Sequence, residues 1–369
     1  MPVFIQHLET VCPPTAYRQD HILEVMKAQL AGDRRTGKLL ERIYRHSGIE
    51  RRHSVIPDFA EGAAEGNFYD PATRRLKTPS TGLRNDLYAV AAKELYCCLA
   101  RRVLAACPGV EAADITHVIT VSCTGFFAPG PGYVIVRELG LGPDTQRYHL
   151  GFMGCYAAFP ALKMAQAFCE ADPGATVLVV CLELCTLHFQ ASTELDSLVS
   201  ASVFADGGAA AIVSSRAPAP GVPALALEGF STALTPDGEQ DMAWTIGDTG
   251  FDMVLSSYVP AILEANVRSA LAPLLERLGL SLARVDRWAV HPGGRAILDK
   301  VERGLELEPD ALAASREVLR RYGNMSSATV LFVLQEVLCR GASAGESVYA
   351  MTFGPGLTVE SGLFRVHAD

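Results

Sequence analysis

The chain has 369 residues, 49% of them hydrophobic and 20% charged, a balance that excludes disordered and fibrous classes and supplies ample core. With 32 basic and 41 acidic side chains the net charge is −9, so no global basic field recruits nucleic acid or an anionic membrane, and an anionic substrate needs a local basic patch. The length predicts two intimately packed halves, because single cores seldom exceed roughly 250 to 300 residues.

Between Asp20 and Arg45 the apolar residues Ile22, Leu23, Val25, Met26, Leu30, Leu39, Leu40 and Ile43 recur at helical spacing, and Gly32 and Gly37 break the pattern, so two helices are predicted. The Gly-, Pro- and polar-rich stretch 57–81 predicts a long surface loop ahead of a helix over 86–106. Strands over 115–121 and 146–150 then enclose a helix over 133–139, and a helix over 156–169 precedes buried strands over 175–184 and 207–214. This alternation implies an α/β architecture. Ser215 to Ala224, with three prolines and a glycine, is the best linker, dividing a half over 1–218 from one over 219–369. The second half predicts strands over 225–230 and 233–235, a long helix over 254–278 and a strand over 287–290. Helices over 296–305, 309–321 and 326–340 follow, then paired strands over 347–352 and 357–364 joined by Phe353-Gly354-Pro355-Gly356.

The longest apolar runs, Ala175 to Leu182 and Thr329 to Leu334, fall short of the roughly 20 residues that span a bilayer. Met1 to Asp20 shows no basic segment followed by an apolar one, so a cytoplasmic protein is expected. Ten cysteines without a Cys-x-x-Cys pair then read as buried or catalytic thiols rather than disulfides, and no metal site is expected.

Three junctions between elements carry chemistry. Gly151-Phe152-Met153-Gly154-Cys155 stands between a predicted strand and a predicted helix, where a helix's free N–H groups and positive dipole end lower a thiol pKa. The glycines allow the tight turn that presents a nucleophile. Taken alone, Cys155 reads more readily as a buried structural thiol. His291 ends a buried strand in Ala289-Val290-His291-Pro292-Gly293-Gly294, and Asn324 occupies the helix-to-helix corner of Tyr322-Gly323-Asn324-Met325-Ser326-Ser327. A satisfied core histidine and a turn former would explain these two singly, but all three at junctions point to a site.

Together and in this order, Gly154-Cys155, His291-Pro292-Gly293-Gly294, Tyr322 to Ser327 and Phe353 to Gly356 resemble the type III polyketide synthases, the chalcone synthase-like branch of the thiolase superfamily. The likeness runs from about Arg42 to Phe364. It implies a thiolase-like five-layered αβαβα fold built from two similar halves, assembled as a homodimer. By resemblance Cys155 is the nucleophile, and His291 and Asn324 complete the catalytic set. A thiolate stabilised by imidazolium His291 takes an acyl group from a coenzyme A thioester, and malonyl-CoA then loses CO₂ to give an enolate held by N–H groups of His291 and Asn324. Attack on the acyl-Cys lengthens the chain by two carbons, and repetition followed by ring closure gives a pyrone, resorcinol or related product. The resemblance implies no metal or redox cofactor.

The resemblance extends to the cavity. Phe204 matches one of two gatekeeper phenylalanines, whereas the second falls on Met253, a flexible thioether. Cys123, Thr124, Cys185, His188, Trp244, Ser326, Gly354 and Pro355 are expected around the substrate. Positions 123, 185 and 188 depart from the small or hydroxyl residues of the plant enzymes. The segment Trp244 to Ser256 is similar to bacterial members, many of which use aliphatic or fatty acyl starters. For the anionic CoA, the run from Arg34 to Arg52 supplies Arg34, Arg35, Lys38, Arg42, Arg45, Arg51 and Arg52. Of the family's phosphate contacts only Arg42 matches, the others falling on Leu39 and His46. Two alternatives stand beside this reading: a single-round ketoacyl synthase of fatty acid synthesis, and a non-catalytic acyl-CoA-binding protein on a thiolase fold.

Overall fold

The computed structural model describes residues 1–29, 34–190, 192 and 194–367, so Leu30 and Gly32 lie outside the described residues, as does the side chain of Arg34. In chain order, β1 (Phe4–Val11) and β2 (Ala16–Arg18) lead into α1 (Gln19–Gln29) and α2 (Arg34–Arg45), and β3 (Arg51–His53) returns to pair with β2. The ribbon β4 (Tyr69–Asp70) and β5 (Arg75–Leu76) interrupts the long loop before α3 (Thr81–Ala106). Then come β6 (His117–Ser122), α4 (Pro131–Leu139), β7 (Gln146–Gly151), α5 (Ala158–Ala171), β8 (Thr176–Leu184), α6 (Leu195–Val203) and β9 (Asp206–Ser214). The second half runs β10 (Ala224–Leu234), β11 (Met242–Gly247), β12 (Gly250–Leu255), α7 (Val259–Arg277), β13 (Arg287–Val290), α8 (Arg295–Leu305), α9 (Ala313–Tyr322), α10 (Thr329–Cys339), β14 (Ser347–Gly354) and β15 (Thr358–His367).

Nine strands form one mixed sheet in the order β13-β14-β15-β10-β1-β9-β8-β6-β7. β1 joins its two halves, pairing antiparallel with β9 from Phe4↔Ser214 to Val11↔Gly208 and with β10 at Phe4↔Ala226 and Ile5↔Leu225. Every residue of β8, β9 and β14 is buried, which is why these strands read as continuous apolar or small-residue runs rather than as alternation. Small residues on β9 admit close neighbours: a Cβ on Gly208 would lie 2.5 Å from Leu99 of α3.

Three apolar clusters define the layers. α5 and α10 are sandwiched by Phe159, Leu162, Val330, Leu331 and Leu334 between strands of both halves. Tyr96, Leu99 and Val103 of α3, with Ile135 of α4, cover the outer face of the first half. Leu263, Val267, Leu271, Leu298 and Val301 of α7 and α8 cover that of the second.

Several expectations need correction. The helix expected over 254–278 starts only at Val259, because residues 242–255 form an antiparallel hairpin, in which Ile246 and Val254 are exposed on opposite faces. Gly37 lies inside α2 rather than breaking it. α3 begins five residues earlier than expected, since the Ser80 hydroxyl accepts from Leu83 N and caps it. The two strands expected over 225–235 are one strand with a register shift between Leu227 and Gly229. Strand β1 and helix α6 were not expected at all. Among the described residues no helix is long and apolar enough to cross a membrane, no group of side chains is arranged to hold a metal, and every described cysteine is unpaired.

Candidate active site

Cys155 occupies the turn between β7 and α5, where Phe152 (φ 59°) and Gly154 (φ 81°) both take left-handed backbone. A side chain at Gly154 would collide with Pro355 Cδ, so glycine is required where the turn lies against the end of β14. His291 follows β13 directly, its N donating to Met351 O at 2.8 Å, which continues the β13–β14 pairing and aims the ring inward. Asn324 sits in the corner after α9: its N donates to Val203 O at 2.9 Å, its Oδ1 accepts from Ser326 N at 2.8 Å, and its Nδ2 donates to Gly293 O at 3.3 Å. The remaining amide N–H of Asn324 faces the Cys155 sulfur, with which it interacts.

These three side chains line one cavity of ≈ 320 Å³, together with Cys123, Thr124, Cys185, Phe204, Trp244, Met253, Ser326 and Pro355. Its walls are mostly apolar. Beneath Cys123 the fully buried Glu183 accepts from Ser327 Oγ at 2.5 Å, Cys123 N at 2.9 Å and Thr124 Oγ1 at 3.1 Å. Burial raises its pKa to about 7 despite these donors.

Burial also sets the protonation of the central pair. His291 is 1% exposed, neither ring nitrogen has a hydrogen-bond partner, and its pKa is pushed down to about 3. Cys155 keeps accessible surface only toward the cavity, and burial pushes its thiol up to about 11, partly offset by hydrogen bonding with Ser326 and Asn324. Against the expectation of a helix-lowered thiolate facing an imidazolium, the helix starts three residues beyond Cys155, and desolvation disfavours the charged form of each group.

Residues 4–217 match the N-terminal domain of the chalcone and stilbene synthases, and residues 227–367 match their C-terminal domain. The chain belongs to the chalcone and stilbene synthase family. It is a type III polyketide synthase, an acyltransferase with the thiolase-like fold of that family. It is similar over 99% of its length to PKS-I from the brown alga Ectocarpus siliculosus, of which it covers 98%, with 31% identity and a TM-score of 0.91. It is similar over its full length to all of 1,3,6,8-tetrahydroxynaphthalene synthase from Streptomyces coelicolor A3(2), a bacterial type III polyketide synthase, with 29% identity and a TM-score of 0.88. The C-terminal type III polyketide synthase domain of Steely1 from Dictyostelium, a type I/III hybrid, matches at 25% identity and a TM-score of 0.89, with 99% of each chain covered.

In this type III polyketide synthase most residues expected around the substrate converge, and three do not. His188 stands behind the wall: its Nε2 donates to Thr124 O at 2.7 Å, its Nδ1 accepts from Phe251 N at 3.1 Å, and its ring stacks on Phe251 at 3.9 Å. Burial lowers its pKa to about 4, so it stays neutral. His188 lines instead a side pocket of ≈ 90 Å³ that shares Cys185, Phe204, Trp244 and Met253 with the main cavity. Gly354 lies behind the site, where a side chain would collide with Tyr156. Arg42 is exposed on α2 outside the cavity lining, to which the same helix contributes Ile43 and the following turn His46. The basic run is not one patch either, since Arg45 pairs with Glu41 at 2.6 Å and Arg52 is buried. Sequence reasoning missed Glu183 and Arg295, the latter being the one arginine or lysine lining the cavity among the described residues. A lone carboxylate within the apolar run Val179 to Leu184 was the signal for Glu183, whereas nothing local marked Arg295.

Proposed function

We propose that the enzyme loads an acyl group from an acyl-CoA starter onto Cys155 and extends it iteratively with malonyl-CoA before ring closure. The observation that carries this reading is the convergence of Cys155, His291 with two unpartnered ring nitrogens, and the Asn324 amide beside Cys155 on one apolar cavity. Neutral His291 accepts the thiol proton as Cys155 Sγ adds to the thioester carbonyl, and the proton leaves with the CoA thiol. An apolar wall favours loss of CO₂ from the malonyl carboxylate over its burial as an ion. The electron pair passes to the thioester oxygen, where His291 and Asn324 donate. Enolate carbon then attacks the acyl carbon, Cys155 leaves as thiolate and recovers a proton, and a β-ketoacyl-CoA results.

The two halves, 1–218 and 219–369, divide the work: the first supplies Cys155, the second His291 and Asn324. Exposed Arg295 on the cavity lining suits the phosphates of CoA, as does exposed Arg42 on the helix that contributes Ile43 to that lining. Edge strand β7, with exposed Tyr133 of α4 and Val90 of α3, supports a homodimer. Unpaired described cysteines support a reducing, cytoplasmic compartment. The test is Asn324→Ala given an acyl-CoA and malonyl-CoA separately. Acylation of Cys155, read by intact mass, should persist while CO₂ release falls about 10²- to 10³-fold. Unchanged CO₂ release removes Asn324 from the site. In the parent enzyme, products carrying several malonyl units exclude a single-round condensing enzyme, and failure to acylate Cys155 refutes catalysis there.

A further inference from the structure

Phe204 and Asn324 are joined by an isolated parallel bridge, in which Asn324 N donates to Val203 O at 2.9 Å and Ala205 N donates to Asn324 O at 2.8 Å. Residues 202–204 are also the C-terminal end of α6, where the last carbonyls have no partner within the helix. Two side chains from the start of the molecule take them. Gln19 Nε2 donates to Ser202 O at 2.7 Å, Arg52 Nη1 donates to Phe204 O at 2.7 Å, and Arg52 Nε donates to Gln19 Oε1 at 2.9 Å. Gly323, with φ 75°, brings the peptide before Asn324 onto the same arginine: a Cβ there would lie 2.9 Å from Arg52 Cγ and 3.0 Å from Val203 O.

Arg52 is 7% exposed and makes no ion pair among the described residues. Its other neighbours are the Tyr44 hydroxyl and, through charge alone, Asp206, which is occupied by Thr186 N at 2.8 Å, Thr186 Oγ1 at 2.6 Å and Val55 N at 2.8 Å. A buried guanidinium without a carboxylate is costly, and burial indeed lowers its pKa. Packing alone would be met by an apolar residue of similar volume. What only the guanidinium provides is a fork that grips the Phe204 carbonyl and the Gln19 amide at once while its stem packs against Gly323.

We infer that Arg52, buried behind the bridge between Phe204 and Asn324, is a positioning residue that fixes the cavity's phenylalanine wall and the Asn324 amide donor in one geometry for the malonyl step. The inference rests on the functional reading above. Arg52 acts through Phe204 and Asn324, so its loss misplaces a donor aimed at the enolate and spares the thiol that accepts the starter.

Arg52→Lys, Arg52→Met and Gln19→Leu separate this role from simple scaffolding. The measurements are the single-turnover rate of Cys155 acylation, kcat and KM for CO₂ release from malonyl-CoA, and Tm. Arg52→Met should acylate within about twofold of the parent and keep KM within about threefold, while kcat for CO₂ release falls about 10- to 100-fold, less than for outright loss of a donor. Arg52→Lys should recover part of that loss, since an ammonium still donates to Phe204 O. Gln19→Leu, which leaves Arg52 on Phe204, should show a smaller fall of the same kind, and this pair decides if Arg52→Met does not fold. Acylation and CO₂ release falling in parallel with Tm, or CO₂ release unchanged in folded variants, overturns the inference alone. A parent enzyme that releases no CO₂ from malonyl-CoA overturns the functional reading and this inference with it.

Discussion

Replacing Glu183 by glutamine interrogates the protonation state of the carboxyl buried beneath Cys123. Its carboxyl has a pKa of about 7 in the fold against an ordinary 4.5, with burial as the leading cause. Between those values the unfolded chain has released a proton that the folded chain keeps. The stabilisation is therefore complete below pH 4.5 and is lost as the pH rises through 7. At about 1.4 kcal/mol per pH unit the loss is roughly 3 kcal/mol. Glutamine does not titrate: its carbonyl can accept from Cys123 N and Thr124 Oγ1, and its NH₂ can donate to Ser327, whose hydroxyl turns to accept. Glu183→Gln should therefore match the parent near pH 5 and exceed its stability at pH 8 by up to roughly 3 kcal/mol. For a chain of this length, at about 2.1 cal/mol/K per residue, that is about 4 °C in Tm. Scanning calorimetry and urea unfolding at pH 5, 6.5 and 8 measure the difference. A Tm difference that stays constant across the three pH values refutes the reasoning.

Alkylation of Cys155 by iodoacetamide should accelerate about tenfold per pH unit between pH 8 and 10, because only the scarce thiolate of a group near 11 reacts, and a rate already level at pH 8 would contradict the desolvated pair. Met253→Phe should lower kcat/KM for long-chain acyl-CoA starters more than for short ones, since a rigid ring would replace a flexible side chain shared by the cavity and its side pocket; equal losses in a variant of normal Tm refute it. Arg295→Ala should raise KM about tenfold for CoA thioesters yet leave acyl-pantetheine thioesters unaffected, since its guanidinium meets only Asp299 at 3.6 Å, which Arg316 already holds at 2.7 Å. Equal KM changes for both substrate types would exclude a phosphate contact.

The sequence was most legible where backbone geometry restricts residue choice. Gly154, Gly323 and the Gly354-Pro355 pair mark tight passages, and the residues beside them, Cys155 and Asn324, converge on the cavity with His291. Buried strands β8 and β9 were legible because nothing polar interrupts them except Glu183 and the terminal residues. β1 escaped notice because its polar residues find distant partners, Gln6 on Ser214 Oγ at 3.1 Å and Thr10 on Gln335 at 2.9 Å, so a central strand carries no apolar run. The β11–β12 hairpin escaped because exposed apolar residues, Ile246 on one face and Val254 on the other, blur the alternation that marks a half-buried strand. The burial that raises the Cys155 pKa was illegible for a different reason. A local turn suggests an activated thiolate, whereas the apolar wall that raises its pKa comes from residues scattered between Ile43 and Phe353.

The seating of Gly154 against Pro355 gives the enzyme a timetable. Pro355 is made about 200 residues after Cys155, which at roughly 5 to 20 residues per second is about 10 to 40 s of synthesis. Throughout that interval the Cys155 turn lacks its buttress, and for much of it the nascent chain also lacks His291 and Asn324. A ribosome-bound chain thus carries Cys155 on an unbuttressed turn, and the cavity is completed late and all together, when the strand before Pro355 closes over the turn.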